Sequence, residues 1–224
     1  MKGYFGPILA LVWKDVLLET RTKDVVVSVL VFSLLSIVIF NFALDPSPQI
    51  VALVAPGILW VAFVFGGVLG LTRSFAQEAD AGNLRGLMLA PVGRDAIFFG
   101  KMASNFLFML LVEVLVFPLF AVLFNLSPSA PGLIPIALLA TLGIVTVGTV
   151  FSAMASNTRT REVMLPLLFF PVSVPVIVAA VEASRAVLWD GSLADSARWI
   201  PLLAAYDAVF LVVGPFAFHL VLEE

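Results

Sequence analysis

The sequence contains no cysteine, only one histidine (His219) and few charged residues. Without cysteine the chain has no disulfides, no thiolate metal ligands and no thiol nucleophile. One imidazole is also too few for a zinc site built by this chain alone. Charged residues make up 12% of the 224 positions, against about 25% in soluble domains. Because 62% of the residues are hydrophobic, the composition predicts an integral membrane protein.

Sequence motifs of common nucleotide-binding and catalytic sites are missing as well. The stretch from Gly93 to Lys101 has a Gly-Lys pair, but its glycines are spaced wrongly for a phosphate-binding loop. Met102 also follows the lysine where serine or threonine is required. The patterns HExxH and GxSxG do not occur. We therefore expect a non-catalytic chain that does not hydrolyse ATP by itself.

Six apolar runs are each long enough to cross about 30 Å of hydrocarbon, which takes about 20 helical residues. We place these spans at residues 25–44, 51–72, 97–126, 133–154, 163–181 and 201–222. The predicted fold class is an all-α integral membrane protein, with residues 1–224 forming a single transmembrane domain. Gly66 and Gly70 in the second span have the spacing of a close helix contact, which we interpret as packing.

Residues 7–22 precede the first span and predict an amphipathic helix. Leu9, Trp13 and Leu17 share one helical face, while Lys14 and Arg21 lie roughly opposite. A tryptophan on the apolar face and basic residues on the other are typical of a helix that lies in the membrane interface. We therefore expect an interfacial helix over residues 7–22.

The basic residues predict the orientation. Six spans put both termini on one side, and ten of the twelve Lys and Arg residues then share that side. Cytoplasmic loops carry such an excess, so both termini and the loop over residues 157–162 are predicted to be cytoplasmic. In that loop, Arg159, Arg161 and Glu162 act as topology signals or contact a cytoplasmic partner.

Residues 73–101 form the longest charged passage, between the second and third spans. We predict that a polar helix continues from the second span, breaks at Gly82, resumes over residues 83–90 and stops at Pro91. The short helix has one apolar face, made of Leu84, Leu87 and Met88. An apolar face in water needs a partner, which is this protein's own membrane domain or a second protein.

Glu113 is the clearest candidate for a functional acidic residue inside a span. It lies twelve residues beyond Lys101, which is about 18 Å along a helix. Burial of a charged carboxylate at that depth costs at least about 2.5 kcal/mol, so we expect the side chain to face protein or a cavity. Two interpretations stay open: a substrate-path or gating group, and a hydrogen-bonded packing residue. Asn105, eight residues earlier, extends a polar stripe that would face a neighbouring helix or a second copy of the protein. Our hypothesis is that the stripe faces an interface with a second copy or a partner.

Two further expectations concern the last third of the chain. Pro166, Pro171 and Pro175 predict that the fifth span is kinked or broken. Residues 182–199 are predicted to form a loop that connects to the sixth span. Asp207 lies close enough to the outer interface for solvation to explain its charge.

The central passage also carries a resemblance. Its pattern E-x3-G-x4-L-x3-P, at Glu78, Gly82, Leu87 and Pro91, resembles the first cytoplasmic loop of type-2 ABC exporter permeases, which docks on a separate ATPase. Four blocks narrow the match, at residues 57–75, 87–120, 148–176 and 204–224. These are similar to the CcmB family, the membrane subunit of the cytochrome c maturation (haem exporter) ABC complex.

The resemblance implies a non-catalytic permease subunit in the bacterial cytoplasmic (inner) membrane. The implied partners are the ATPase subunit CcmA, the subunits CcmC and CcmD, the haem chaperone CcmE through the complex, and a second permease copy. ATP would bind to the ATPase and haem would be handled by partner subunits, so we expect no cofactor on this chain and no nucleic-acid partner. The residues implied to couple to the ATPase are Glu78, Gly82, Leu84, Arg85, Leu87, Met88 and Pro91.

Two other functions remain open at this stage. One is a type-2 exporter for another substrate, such as a polysaccharide or a drug. The other is an intramembrane enzyme or an ion-coupled carrier that uses Glu113. An enzyme or carrier of this kind needs several cooperating polar groups within the spans, whereas the sequence offers essentially one acidic candidate there, Glu113.

Overall fold

The structure is a computed structural model, and it describes residues 4–44, 47–80, 92–126, 132–156, 161–190 and 197–221. Seven helices account for nearly all of these ranges. They are α1 (Phe5–Thr22), α2 (Asp24–Ala43), α3 (Pro48–Asp80), α4 (Arg94–Leu123), α5 (Leu133–Ser156), α6 (Arg161–Asp190) and α7 (Ile200–Val221). Each of α2 to α7 contains a stretch that is long and apolar enough to cross a bilayer. The predicted all-helical fold with six spans is confirmed, and the protein is a multi-pass membrane protein.

Two helices extend beyond the spans predicted from the sequence. In α3 the apolar span is Leu53–Thr72, but the helix continues to Asp80, as expected for a polar extension of the second span. In α6 the helix continues to Asp190, so the predicted loop from Glu182 is wrong.

The predicted break in the fifth span is also wrong, because all three prolines lie inside the continuous helix α6, while the alternative of a kink stays a prediction. Each proline removes one helical hydrogen bond. Within the apolar layer, however, an unwound backbone would leave more polar groups without partners than a proline does. Buried side chains before and after the prolines, among them Leu165, Phe169 and Val176, hold the helix against the bundle.

The bundle is built around α5, in which every residue from Gly143 to Val150 is buried. Helix α3 packs on α5, α6 and α2. A Cβ atom at Gly66 would come 3.0 Å from the Ser33 hydroxyl, and one at Gly70 would come 2.9 Å from Val29. These two glycines therefore let α2 approach α3 closely, and the packing interpretation of the pair is confirmed.

Helix α1 lies against α4 and turns its apolar face away from the bundle. Phe5, Leu9 and Trp13 are each more than 60% exposed, whereas Leu11 is buried. Such an apolar face is suited to lipid. We call the end of the bundle that carries α1 and the start of α4 the basic end, and the other end the opposite end.

Candidate functional site

A buried ion pair joins α1 to α4 at the basic end. The ammonium group of Lys101 lies 3.0 Å from Asp15 Oδ2, and the two side chains are only 3% and 7% exposed. Lys14 approaches the other oxygen, Asp15 Oδ1, at 3.1 Å, but its side chain is 40% exposed. Since removing one partner of a buried pair typically costs about 3–5 kcal/mol, Asp15 and Lys101 strongly favour the docked position of α1.

Two more contacts hold α1 along α4. The Tyr4 hydroxyl donates a hydrogen bond of 2.6 Å to Asp95 Oδ2 at the start of α4. This bond raises the pKa of Tyr4 to about 12. Further along, a Cβ atom at Gly100 would come 2.9 Å from the Leu11 side chain, so glycine is needed for the close approach of the two helices. Helix α1 is therefore bound to the first two turns of α4 by polar and apolar contacts together.

A single residue, Lys23, separates α1 from α2, and a buried carboxylate stabilises that corner. Lys23 has a φ of 59°, in the left-handed region, and its N–H donates to the Glu19 carbonyl at 2.7 Å. The Glu19 carboxylate accepts a hydrogen bond of 2.7 Å from the N–H of Val26. The first N–H groups of a helix have no partner within the helix, so Glu19 caps α2 from the preceding helix.

The predicted polar stripe exists, and it lies inside this chain. Thr141 of α5 donates a hydrogen bond to Glu113 Oε1, and the Asn105 amide lies 3.4 Å from Thr149 Oγ1. Asn105 and Glu113 are eight residues apart on α4, and Thr141 and Thr149 are eight residues apart on α5, as expected for neighbouring antiparallel helices. The stripe therefore faces α5 of the same chain, and the hypothesis that it faces a second copy or a partner is wrong.

The second oxygen of Glu113 has no hydrogen-bond partner among the described residues, although the side chain is only 6% exposed. Glu113 also lines a cavity of about 380 Å³ between α3, α4 and α5. At the rear of the cavity the Trp60 indole donates a hydrogen bond of 2.9 Å to the Ser184 hydroxyl of α6. Glu113 therefore faces both protein and a cavity, as expected, while its interpretations as a substrate-path or gating group and as a packing residue stay predictions.

Asp207 is another buried acid within a span, and the sequence did not predict its burial. It is 4% exposed, and neither carboxyl oxygen has a hydrogen-bond partner within the described part of the chain. A Cβ atom at Gly143 would come 2.7 Å from Asp207 Oδ1, so the carboxyl group lies directly against α5. Solvation at the outer interface does not explain this residue, and that expectation is wrong.

Most residues predicted to couple to the ATPase lie outside the described residues: Gly82, Leu84, Arg85, Leu87, Met88 and Pro91. The same holds for Arg159, which was predicted as a topology signal or a contact to a cytoplasmic partner. Glu78 lies within α3, and Arg161 and Glu162 lie within the first turn of α6. The structure describes the backbone of these three residues. Their roles therefore stay predictions.

Sequence inspection missed the ion pair, although a signal for it was present. Leu11, Asp15 and Glu19 recur every four residues, which places them on one face of α1. All three are buried, and this face packs on the bundle. Acidic residues on the buried face of α1 indicate a basic partner, and Lys101 lies early in the third span.

Together these features define a multi-pass helical membrane protein whose polar side chains bind helices to one another. The chain belongs to the CcmB family, because the family model described as "CcmB protein" matches residues 7–224. Curated relatives named "Heme exporter protein B" match nearly the whole chain. The relative from Rhodobacter capsulatus is 31% identical over 211 residues, covering 93% of this chain and 94% of its own. Those from Paracoccus denitrificans and Bradyrhizobium diazoefficiens are 30% and 27% identical over 209 residues, covering 93% of this chain and 94% and 93% of their own.

Proposed function

We propose that this chain is the membrane-spanning subunit of an ABC transporter complex for cytochrome c biogenesis. In this function it couples ATP hydrolysis by a separate ATPase subunit to haem export or to the release of a haem-loaded chaperone. The observation that carries the proposal is the match to the CcmB family over residues 7–224, together with relatives named "Heme exporter protein B" along nearly their whole length. The six apolar helices fit a permease subunit.

The helices on either side of the predicted coupling passage favour a mechanical role. Helix α3 leaves the apolar layer after Thr72 and reaches Asp80, and α4 starts at Arg94. The passage between them therefore connects two long helices directly. In the proposal, an ATPase that binds Leu84, Leu87 and Met88 acts on the ends of both helices, while Glu78 and Arg85 orient the contact.

The ion pair would also transmit a movement of α4 to α1. Lys101 lies two turns into α4, and its bond to Asp15 makes α1 follow any movement of that end of α4. Glu19 in turn holds the start of α2. A displacement at the coupling passage would therefore move α4, α1 and the start of α2 as one unit.

The proposed setting is the bacterial inner membrane, with both termini in the cytoplasm. The proposed partners are CcmA, CcmC and CcmD, the chaperone CcmE through the complex, and a second copy of the permease. Copurification of the haem-handling subunits with this chain would support haem export. Their absence beside a copurifying ATPase would instead favour a type-2 exporter with another cargo.

Leu87 offers the sharpest test of coupling. Leu87→Asp places an unpaired charge at the contact and should weaken retention of the ATPase by about 100-fold, or roughly 3 kcal/mol. Leu87→Met keeps the apolar volume and should retain the ATPase. Affinity purification of the co-expressed complex measures both, with cytochrome c maturation as the functional readout. If Leu87→Asp retains the ATPase and matures cytochrome c normally, the coupling role is refuted.

A further inference from the structure

Helix α1 contains two basic and two acidic side chains, so its sequence alone has no net charge. The structure separates the two signs. Asp15 and Glu19 are 7% and 8% exposed and lie against the bundle. The side chain of Lys14 is 40% exposed, and Arg21 is exposed. The surface that α1 turns away from the bundle is therefore basic, although the helix as a whole is neutral.

Neither acid cancels the charge of this basic surface. Asp15 lies between two ammonium groups, 3.0 Å from Lys101 and 3.1 Å from Lys14, so these three side chains together carry a net positive charge. Glu19 accepts a hydrogen bond from the backbone at the start of α2, where the helix dipole favours a negative charge. Arg21 follows Glu19 by two residues and so does not face it on the helix.

Three directions around α1 differ in chemistry. At about 100° per residue, Lys14 and Arg21 lie within about 20° of each other and form a stripe two turns long. Leu9 and Trp13, which are 67% and 64% exposed, lie about 110° from this basic stripe. The buried face with Asp15 lies about 110° from it in the opposite sense. A helix of this kind meets the bundle, the acyl chains and the lipid head groups at once, with its basic stripe at the depth of the head groups.

The chemistry of the basic stripe selects an anionic head group. The guanidinium group of Arg21 suits phosphate, which it binds through two parallel hydrogen bonds, and the ammonium group of Lys14 adds a point charge. A zwitterionic head group brings a cation of its own, which the two basic residues repel, whereas an anionic phospholipid brings only negative charge. Lys14 and Arg21 are about 10 Å apart along the helix, so the stripe is long enough for neighbouring head groups.

We propose that the outer face of α1 binds anionic phospholipids. Lys14 and Arg21 contact the phosphate groups, while Leu9 and Trp13 contact the acyl chains. The bound lipid holds α1 at the membrane surface, and the ion pair with Lys101 extends this anchor to α4. The site does not rest on the coupling role proposed above, and it remains whichever ATPase the chain binds.

Quenching of tryptophan fluorescence by brominated lipid tests the site in the full-length protein. Phosphatidylcholine nanodiscs contain a minor fraction of either phosphatidylglycerol or phosphatidylcholine with brominated acyl chains. The contribution of Trp13 is the difference between the wild-type protein and Trp13→Phe, which keeps an apolar ring at this position. Each basic residue near the surface strengthens binding of an anionic lipid about fivefold, so phosphatidylglycerol should be enriched at Trp13 at least fivefold over phosphatidylcholine. High salt should reduce this enrichment.

Two results of this measurement would overturn the proposal. Equal quenching of Trp13 by both lipids would show that α1 does not select anionic head groups. If neither lipid quenched Trp13, the outer face of α1 would be covered by protein, such as a second copy of the chain.

Variants of the two basic residues test their part in the selection. Lys14→Gln and Arg21→Gln should each lower the preference for phosphatidylglycerol about fivefold, and the double variant should abolish it. Lys14→Arg and Arg21→Lys keep the charge and should retain the preference. Quenching by brominated phosphatidylcholine should be the same in all of these variants, which checks that α1 keeps its position.

Arg198→Gln is the matched control, because it removes one exposed positive charge just before α7, at the opposite end of the bundle. The preference at Trp13 should not change in this variant. A loss equal to that of Arg21→Gln would show that the net charge of the protein selects the lipid. A preference that survives in the double variant of Lys14 and Arg21 would exclude the basic stripe as the binding site.

Discussion

Replacement of Lys101 by methionine should destabilise the fold far more than any change in the exposed part of the same cluster. The variant leaves Asp15, which is 7% exposed, as a buried charge without its nearest buried partner. The expected loss is about 3 kcal/mol in the free energy of unfolding. For a chain of this length that corresponds to a fall of about 6–12 °C in Tm. Because the protein contains four tryptophans and no cysteine, intrinsic fluorescence in nanodiscs suits the measurement better than a thiol-reactive dye.

Two controls decide whether the buried pair is the cause. Lys14→Met removes the other cation near Asp15, but the Lys14 side chain is 40% exposed, so its loss should cost under about 1 kcal/mol. The double variant Asp15→Leu with Lys101→Met removes both buried charges and should recover most of the Tm. If the double variant is no more stable than Lys101→Met alone, the pair does not stabilise α1 against α4. Equal losses in Lys14→Met and Lys101→Met would contradict the role of burial.

Three further outcomes are expected. Gly100→Leu should force α1 away from α4. Overpacking of this kind costs about 1–3 kcal/mol and should lower the Tm. An unchanged Tm would contradict the close contact. Glu113→Gln keeps an acceptor for Thr141 and should retain most cytochrome c maturation, whereas Glu113→Leu should lose it. Full function of the leucine variant would show that Glu113 has no functional role. A cysteine at Ser47 should react with an impermeant maleimide from outside intact spheroplasts while one at Arg21 should not, and the reverse pattern would overturn the predicted orientation.

The six spans could be predicted because the bilayer sets the length of an apolar helix. That constraint acts only on the apolar part. It places the limits of α2 and α5 within two residues, but it does not determine the end of α6, which continues past Glu182 and Arg185 to Asp190. For a related reason, the prolines do not break α6. Each proline costs one helical hydrogen bond, whereas unwinding in an apolar layer exposes several polar groups.

The polar stripe shows where sequence periodicity stops being informative. The spacing of eight between Asn105 and Glu113 predicts a shared face correctly, because helical geometry alone determines it. What that face meets depends on how the helices are arranged, and Thr141 and Thr149 could be recognised as partners only after α4 and α5 were known to be antiparallel neighbours. Asp207 was misjudged for the same reason, since its short distance from the end of α7 says nothing of the helix packed against it.

Glu113 and Asp207, which both have carboxyl oxygens without a hydrogen-bond partner among the described residues, meet α5 from opposite sides. Glu113 bonds to Thr141, and Asp207 lies against Gly143, two residues further along α5. Two residues correspond to about 200° around a helix and about 3 Å along it, so both carboxyl groups stand at nearly the same height. At the basic end, by contrast, the buried acid Asp15 is paired with Lys101. The bundle is thus tightly bound where an ATPase would act, and it keeps open hydrogen-bonding capacity on both sides of its central helix deeper in the membrane. Lys101 and Glu113 lie about 18 Å apart along the same helix, so the proposed movement of α4 by an ATPase would act on both residues.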